Sequence, residues 1–136
     1  MPPLDQKLID AAIGFLAERF PQGHFQGAAA MYTADGEILV STAPGFENTA
    51  VDLCHETGAI CDAFAKNKPI TASVCVTREE PGVYAIVAAC GVCQERLWFW
   101  GGDVEIAVPQ DDDNTKWRAV RLHDMAPHYW RKPYMK

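Results

Sequence analysis

Three cysteines and one glutamate occur at spacings that suit a catalytic metal site. Cys90 and Cys93 form a C-x-x-C pair, and Cys54 precedes Glu56 by two positions. Both clusters are predicted to open helices, whose free N–H groups and positive dipole end favour the thiolate form that binds metal. Three thiolates would bind zinc and leave its fourth position open, which is the arrangement of a catalytic zinc site.

Glu56 is placed beside this predicted metal site without being needed as a ligand. A carboxylate in that position can take a proton from water and pass it to a departing amine. Zinc deaminases that act on nucleobases divide the work in this way, with a ligand-x-Glu segment followed by a C-x-x-C pair. These residue types therefore predict a hydrolytic deaminase that acts on a cytosine-like ring.

Two other interpretations of the cysteines are weaker. A C-x-x-C pair alone also occurs in redox proteins and in structural zinc sites. A redox pair leaves Cys54 and Glu56 without a role, and a structural site would need a fourth ligand, for which His55 is the close candidate although its side chain is expected to point away. A non-catalytic zinc-binding module remains the alternative from a different functional class. Cys61 and Cys75 are interpreted as small buried residues.

Hydrophobic periodicity predicts the elements that must position these residues. Helices are predicted at 4–20, 50–66, 91–99 and, briefly, near 122–125. Strands are predicted at 25–32, 37–41, 70–77, 83–88 (fully buried) and 104–108. The second helix is expected to turn Leu53, Ile60 and Phe64 toward the core. Because helices alternate with strands in the second half, we expect an α/β domain, a three-layer α/β/α sandwich around a mixed five-stranded sheet.

Composition limits the partners and the compartment. The chain has 136 residues, a formal net charge of −6 and a length that fits one domain, 1–136. The negative charge argues against a polynucleotide partner, because phosphate contacts need a cationic face. No apolar stretch is long enough to suggest a membrane span. Five cysteines without a disulfide pattern or a secretion signal predict a reduced, cytoplasmic compartment.

The motifs together resemble a known family. The segment Cys54-His55-Glu56-Thr57-Gly58-Ala59-Ile60, followed by Cys90-Gly91-Val92-Cys93-Gln94, is similar to the small zinc-dependent cytidine deaminases, in particular to the branch that includes blasticidin-S deaminases. Phe25-Gln26-Gly27-Ala28-Ala29 resembles the family's strand before the substrate loop. The resemblance implies a Zn²⁺-dependent hydrolase with Glu56 as catalytic residue. It also implies a homo-oligomer, a tetramer or a dimer, whose active sites are completed by neighbouring subunits.

The resemblance also indicates where a substrate would bind. The residues that grip ribose in the family would fall in the loop 43–48, where Glu47 and Asn48 are the nearest matches, and Phe25 is a candidate pocket wall. The expected substrate is cytidine or deoxycytidine, converted to the uracil nucleoside and ammonia in pyrimidine metabolism. The alternative is an aminoacyl-nucleoside antibiotic such as blasticidin S, or a modified aminopyrimidine.

Three positions depart from the pattern of this family. His55 stands where Ala or Val is usual, Ala89 where Pro is usual, and Gln94 where many three-cysteine members have an Arg. That Arg offsets the surplus negative charge of three thiolates. Another donor should do so here, and the candidates are helix N–H groups, Arg96 and His55. Trp98 and Trp100 are expected to pack in the core or at a subunit interface, whereas Tyr129 and Trp130 would either cap a pocket or pack on a neighbouring subunit.

Overall fold

A computed structural model describes residues 2–135, and its order of elements alternates strands with helices. The helices are α1 (Gln6–Arg19), α2 (Thr57–Ala65), α3 (Gly91–Leu97) and α4 (Leu122–Met125). The strands are β1 (Gln26–Thr33), β2 (Ile38–Ser41), β3 (Ile70–Glu80), β4 (Val83–Val87), β5 (Glu105–Gln110) and β6 (Asp113–Arg121). None of the helices within residues 2–135 has the length and apolar character needed to cross a membrane.

All six strands belong to one mixed sheet. Its strands run in the order β2-β1-β3-β5-β6, and β4 pairs with the far end of β3. β1 is antiparallel to both β2 and β3, with Ala29 opposite Ser41 on one side and Cys75 on the other. β3 and β5 are parallel, with Ala72 opposite Glu105, and the crossover between them consists of β4 and α3. The predicted mixed sheet is confirmed.

Helix α1 covers one face of this sheet. Its apolar positions Leu8, Ala12 and Leu16 are buried with Ala28 and Ala30 of β1, whose side chains share that face. The helix begins where the Asp5 side chain accepts a hydrogen bond from the Leu8 backbone N–H at 3.0 Å. This capping interaction matches the predicted start of the first helix.

Helices α2, α3 and α4 cover the opposite face. Met31 and Ile106 of the sheet pack there with Ala59 of α2, Leu97 of α3 and Leu122 of α4. Two apolar cores, one on each side of the sheet, give the predicted three-layer α/β/α architecture. The odd-numbered residues of β1 face this second core and the even-numbered residues face α1, as strand alternation requires.

The sheet has six strands where five were predicted. Residues 113–121 form β6, which pairs antiparallel with β5 and places Val120 opposite Ile106. This strand lies at the edge of the sheet and is mostly exposed, so its polar residues hide the alternation by which a half-buried strand is recognised. Asp111 and Asp112 form the turn that connects β5 to β6.

The helix predicted at 50–66 begins later, at Thr57. Upstream of it, the Asn48 side chain accepts a hydrogen bond from the Ala50 N–H at 3.0 Å, and the Asp52 carboxylate accepts one from the Phe46 N–H at 2.9 Å. Asn and Asp side chains that bond to nearby backbone in this way compete with helix formation. The segment therefore folds into a short 3-10 turn at Thr49–Val51 and an irregular stretch that leads to Cys54.

Three predictions of burial were wrong. Cys61 was interpreted as a small buried residue, but it lies on the exposed side of α2. Leu53 and Phe64 were expected to face the core but are exposed, Phe64 to 65%, because the small residues Ala59 and Ala63 form the buried side of α2. The strand β4 was expected to be fully buried, yet Val83 and Val87 are exposed. Its hydrogen-bonded partner is β3, so it lies at the margin of the sheet rather than within it.

Candidate catalytic metal site

The turn before α2 carries Cys54, His55 and Glu56, and it is held against the sheet on two sides. The Thr57 N–H donates to the Cys54 carbonyl at 3.1 Å, and the Ser41 hydroxyl of β2 donates to the His55 carbonyl at 2.6 Å. The His55 ring fits against β1 because Gly27 has no side chain, and a Cβ there would lie 2.5 Å from His55 Cε1. The backbone of this turn is therefore fixed between β1 and β2.

Cys90 and Cys93 lie at the start of α3, as the C-x-x-C pattern predicts. Cys90 is the N-cap of the helix, and Cys93 in its first turn is fully buried. Gln94 donates from its backbone N–H to the Cys90 carbonyl and from its side-chain Nε2 to the Ala89 carbonyl, both at 2.8 Å. Gln94 thus fastens the loop that enters α3 and does not point its amide at the cysteines.

The three predicted ligands converge. The Sγ atoms of Cys54, Cys90 and Cys93 all lie within 4.8 Å of one another, and those of Cys54 and Cys90 are 3.4 Å apart. Thiolates arranged tetrahedrally around zinc at about 2.3 Å would be about 3.8 Å apart. The cluster therefore fits a zinc ion with three protein ligands, and the prediction that these cysteines meet is confirmed.

The three thiols differ in how readily they ionise. Burial raises the pKa of Cys54 and of Cys93. Burial also opposes ionisation of Cys90, but the backbone N–H groups of Cys93 and Val92 and the Cys54 thiol donate to its sulfur, and its pKa lies below the ordinary value. Three adjacent thiols cannot all ionise without a cation among them, so this donor set favours a divalent metal that draws off the protons.

Arg96 supplies positive charge at the cluster. Its Nη1 lies 3.8 Å from Cys93 Sγ and donates to the Thr57 hydroxyl at 2.9 Å. Of the donors considered from the sequence, the structure brings Arg96 and the backbone N–H groups of α3 to the sulfurs. His55 instead packs on β1, where burial lowers its pKa.

Glu56 is 4% exposed and lies at the N-cap of α2, next in space to the cysteine cluster. Sequence reasoning missed a neighbour of this carboxylate, since Cys75 of β3 was assigned only to packing. Cys75 is buried as predicted, and burial together with the nearby Glu56 charge raises its pKa. Periodicity alone could not reveal this contact, because it depends on the register that pairs Cys75 with Ala29, on the face of β1 that α2 covers.

The three candidate substrate residues lie on exposed loops. Phe25 is 67% exposed at the bend that precedes β1. Glu47 and Asn48 are exposed between β2 and α2, and the Asn48 side chain is engaged by the Ala50 N–H. Phe25 lines a groove together with Arg19, Gln26 and Arg78, and none of the three clustered cysteines lines that groove.

A large groove lies apart from the cysteine cluster. It has a volume of about 630 Å³ and is formed by α2, α3 and the C-terminal segment. Its lining is rich in aromatic side chains, among them Phe64, Trp98, Phe99, Tyr129 and Trp130. Trp98 and Tyr129 stack with their ring centroids 4.0 Å apart. The groove is a largely apolar surface, and Arg96 in its lining also contacts Cys93 of the cluster.

Solved structures of cytidine deaminases resemble this chain. The enzyme from Bacillus anthracis matches with 35% sequence identity and a TM-score of 0.85, over 95% of this chain and 91% of that one. Two further cytidine deaminases share the fold. The Burkholderia pseudomallei enzyme has 22% identity and a TM-score of 0.69, over 93% of this chain and 98% of that one. The Mycobacterium tuberculosis enzyme has 19% identity and a TM-score of 0.69, over 94% of this chain and 98% of that one.

Comparison with protein-family models gives no match, and comparison with curated proteins gives none either. The similarity to the Bacillus anthracis enzyme nevertheless extends over nearly the whole of both chains, at an identity well above that of a shared fold alone. This chain belongs to the cytidine deaminase family.

Proposed function

We propose that Cys54, Cys90 and Cys93 hold one zinc ion and that Glu56 moves the protons in the hydrolytic deamination of a cytosine nucleoside. Family membership gives the reaction class, a zinc-dependent hydrolysis of a C–N bond by a cytidine deaminase. The observation that carries the assignment of residues is the convergence of three thiols beside a carboxylate that is 4% exposed.

The donor set explains the choice of metal. A zinc ion bound by three thiolates would act as a Lewis acid and lower the pKa of water in the site. Cys54 and Cys90 would hold it from the two helix starts, and Cys93 from inside the core. The hydrogen bonds from α3 and the contact with Arg96 would reduce the excess negative charge on the sulfurs.

Glu56 would perform each proton transfer of the reaction. It accepts a proton from water as the water oxygen adds to the ring carbon that carries the amine, and it gives that proton to the ring nitrogen. It then takes the remaining proton of the added oxygen and delivers it to the amine, which leaves as ammonia while the ring carbon becomes a carbonyl. The short turn between Cys54 and α2 keeps Glu56 beside the reacting atoms throughout.

The substrate is proposed to be cytidine or deoxycytidine, with Phe25 beside the base and Glu47 and Asn48 near the sugar. The exposed aromatic ring of Phe25, two residues before the Gly27 on which His55 packs, supports the first contact. The open loop between β2 and α2 supports the second, because Glu47 there is exposed and close in sequence to the cysteine turn.

Replacement of Glu47 tests the sugar contact. Glu47→Ala should raise the KM for cytidine by about 5- to 100-fold, because a buried sugar hydroxyl would lose its acceptor. Its activity on free cytosine should change little. Equal losses on the two substrates, measured by ammonia release, would assign Glu47 to the fold instead of the sugar site.

We also infer a cytoplasmic location and a homo-oligomeric state, a dimer or a homotetramer. Cys54, Cys61, Cys75, Cys90 and Cys93 are all free thiols, and the two sulfurs 3.4 Å apart would oxidise in an oxidising compartment. Exposed aromatic rings along the groove between α2, α3 and the C-terminal segment favour association with a second copy.

The proposed function is tested by measuring zinc and turnover on the same samples. The purified protein should carry about one zinc per chain, as a three-ligand site predicts, and should convert cytidine to uridine with release of ammonia. Cys90→Ser should lose both properties, whereas Cys61→Ser, a cysteine outside the cluster, should keep both. Zinc content that is unchanged in Cys90→Ser would contradict the ligand set, and a zinc-loaded protein inactive on every aminopyrimidine and nucleoside would support a binding module.

A further inference from the structure

A row of small side chains crosses the sheet beneath the turn that carries Glu56. Ser41 of β2, Ala29 of β1 and Cys75 of β3 are direct neighbours in the strand register, and all three are buried. They lie on the face that α2 covers, because Met31, two residues after Ala29, packs in the core beneath α2. Side chains of this size let the turn approach the sheet closely.

The first member of this row holds the turn in place. The Ser41 hydroxyl donates to the His55 carbonyl at 2.6 Å, and a Cβ on Gly58 would lie only 2.9 Å from Ser41 Cβ. His55 itself packs on Gly27, two residues before the row on the same face of β1. The residues on both sides of Glu56 are therefore held against this face of the sheet.

Cys75 is the member of the row that meets the carboxylate. Its thiol is hydrogen-bonded to the Glu56 side chain. Burial, followed by the nearby Glu56 charge, raises the pKa of this thiol, so it keeps the proton that the bond requires. Among residues 2–135, the sulfurs grouped closely enough to hold a metal are those of Cys54, Cys90 and Cys93. Cys75 therefore contacts the proton carrier without joining the ligand set.

A fixed backbone does not by itself place a glutamate carboxylate, because several rotatable bonds separate it from Cα. Proton transfer needs a heavy-atom distance of about 2.6–3.2 Å. One S–H group occupies a single acceptor position of a carboxylate and leaves the others for water and substrate. We propose that Cys75 is a positioning residue whose thiol holds the Glu56 carboxylate in the orientation that proton transfer requires. This inference rests on the proposed function.

Removal of the thiol should slow the chemical step and leave substrate binding unchanged. Cys75→Ala should lower kcat for cytidine by about 10- to 100-fold, because a small displacement of a catalytic group can cost that much. KM and zinc content should stay near the parent values. Cys75→Ser keeps a donor of similar size and should retain most of the parent kcat. Cys75→Val fills the space without a donor and should be as slow as Cys75→Ala, which covers the case in which the alanine variant fails to fold.

The matched control is Val76→Ala, because Val76 is the next residue of β3, is fully buried and faces α1 instead. It should lower the unfolding temperature and leave kcat unchanged. A double variant then separates positioning from an independent effect. Since Cys75 would act only through the carboxylate, Cys75→Ala combined with Glu56→Gln should be no slower than Glu56→Gln alone.

A Cys75→Ala protein that keeps the parent kcat would overturn the proposal. So would a Cys75→Ser protein as slow as Cys75→Ala, a Val76→Ala protein with the same fall in kcat, or losses that multiply in the double variant. Each of these results leaves the proposed function intact, because it is measured against a parent that deaminates cytidine. A zinc-loaded parent inactive on every cytosine nucleoside would instead overturn the proposed function, and this inference with it.

Discussion

The charge of three thiolates has to be offset by residues of this chain, and Arg96 lies nearest to do so. Its Nη1 is 3.8 Å from Cys93 Sγ, while Gln94 is occupied with the Ala89 carbonyl. A donor close to a thiolate withdraws electron density from the sulfur, and the bound metal then becomes a stronger Lewis acid. We therefore expect Arg96 to offset this charge, since the side-chain amide of Gln94 is bonded to the Ala89 carbonyl.

Arg96→Met should lower kcat for cytidine by about 10- to 100-fold, the usual effect of losing a residue that supports a metal ligand. Zinc should remain bound, because the three cysteines are intact. The comparison is Thr57→Val, which removes the other partner of Arg96 Nη1 without removing the charge, and which should cost much less. If Arg96→Met turns over at the parent rate, the charge on the sulfurs is offset by the α3 N–H groups alone.

The reactive residues were predictable because their types and spacing are restrictive. Cys54, Cys90, Cys93 and Glu56 could be named from the sequence, and the structure brings the three cysteines together beside Glu56. The contact of Arg96 with Cys93 also follows from helix geometry, since the two residues are three positions apart on α3. The neighbourhood of Cys75 and Glu56 depends instead on strand register, which a lone sequence leaves open.

At the scale of elements, the junction of α1 with β1 depends on one carboxylate. Asp5 accepts hydrogen bonds from the Leu8 N–H at 3.0 Å and from the Tyr32 hydroxyl at 2.8 Å. The first bond starts the helix, and the second ties it to the sheet. Since Tyr32 is buried, its hydroxyl would be left without this acceptor if Asp5 were replaced.

Asp5→Ala should therefore reduce the free energy of unfolding by about 1–3 kcal/mol, combining a lost cap with a buried donor left unpaired. Urea unfolding followed by circular dichroism measures this change. Tyr32→Phe removes one bond but keeps the cap, so it should cost less. Equal losses for the two variants would mean that the cap contributes nothing and that the tie to Tyr32 carries the whole effect.

The elements were predicted well where burial and pattern agree. The first helix, the first hairpin and the strand beginning at Ile70 follow the expected periodicity. Two segments did not follow it. Residues 113–121 form an exposed edge strand, which has no apolar face to reveal it. In residues 50–56 the predicted helix does not form, because the Asn48 and Asp52 side chains bond to nearby backbone instead. Phe64 was misplaced because an apolar side chain was assumed to be buried, whereas it lies on an exposed aromatic surface.

At the scale of the whole molecule, that aromatic surface is the feature that a lone chain leaves unexplained. Phe64 and Phe99 are in edge-to-face contact, with centroids 5.6 Å apart, and both are exposed. Trp98, beneath them, is buried, and its Nε1 is without an acceptor among residues 2–135. A second copy of the chain packed on the exposed Phe64 and Phe99 rings would remove them from water.

Phe99→Lys should shift the protein from an oligomer to a monomer, because a charge would be buried in an apolar interface. Light scattering coupled to size-exclusion chromatography gives the mass directly. Val40→Lys is the matched control, since Val40 is also exposed but pairs with Ala30 and so faces the α1 side of the sheet. A parent protein that is already monomeric at micromolar concentration, or a Phe99→Lys protein that stays oligomeric, would contradict this interface.

Glu56 offers the most direct test of the central claim, which is that a zinc-dependent hydrolysis proceeds with this carboxylate as proton carrier. Glu56→Gln keeps the size of the side chain and its place at the start of α2 but removes the base. Cytidine turnover should be measured on Glu56→Gln protein shown to carry the same zinc content as the parent. The rate should fall by about 10²- to 10⁴-fold or more, because this residue serves several proton transfers. A zinc-loaded Glu56→Gln protein that deaminates cytidine at the parent rate would contradict the account.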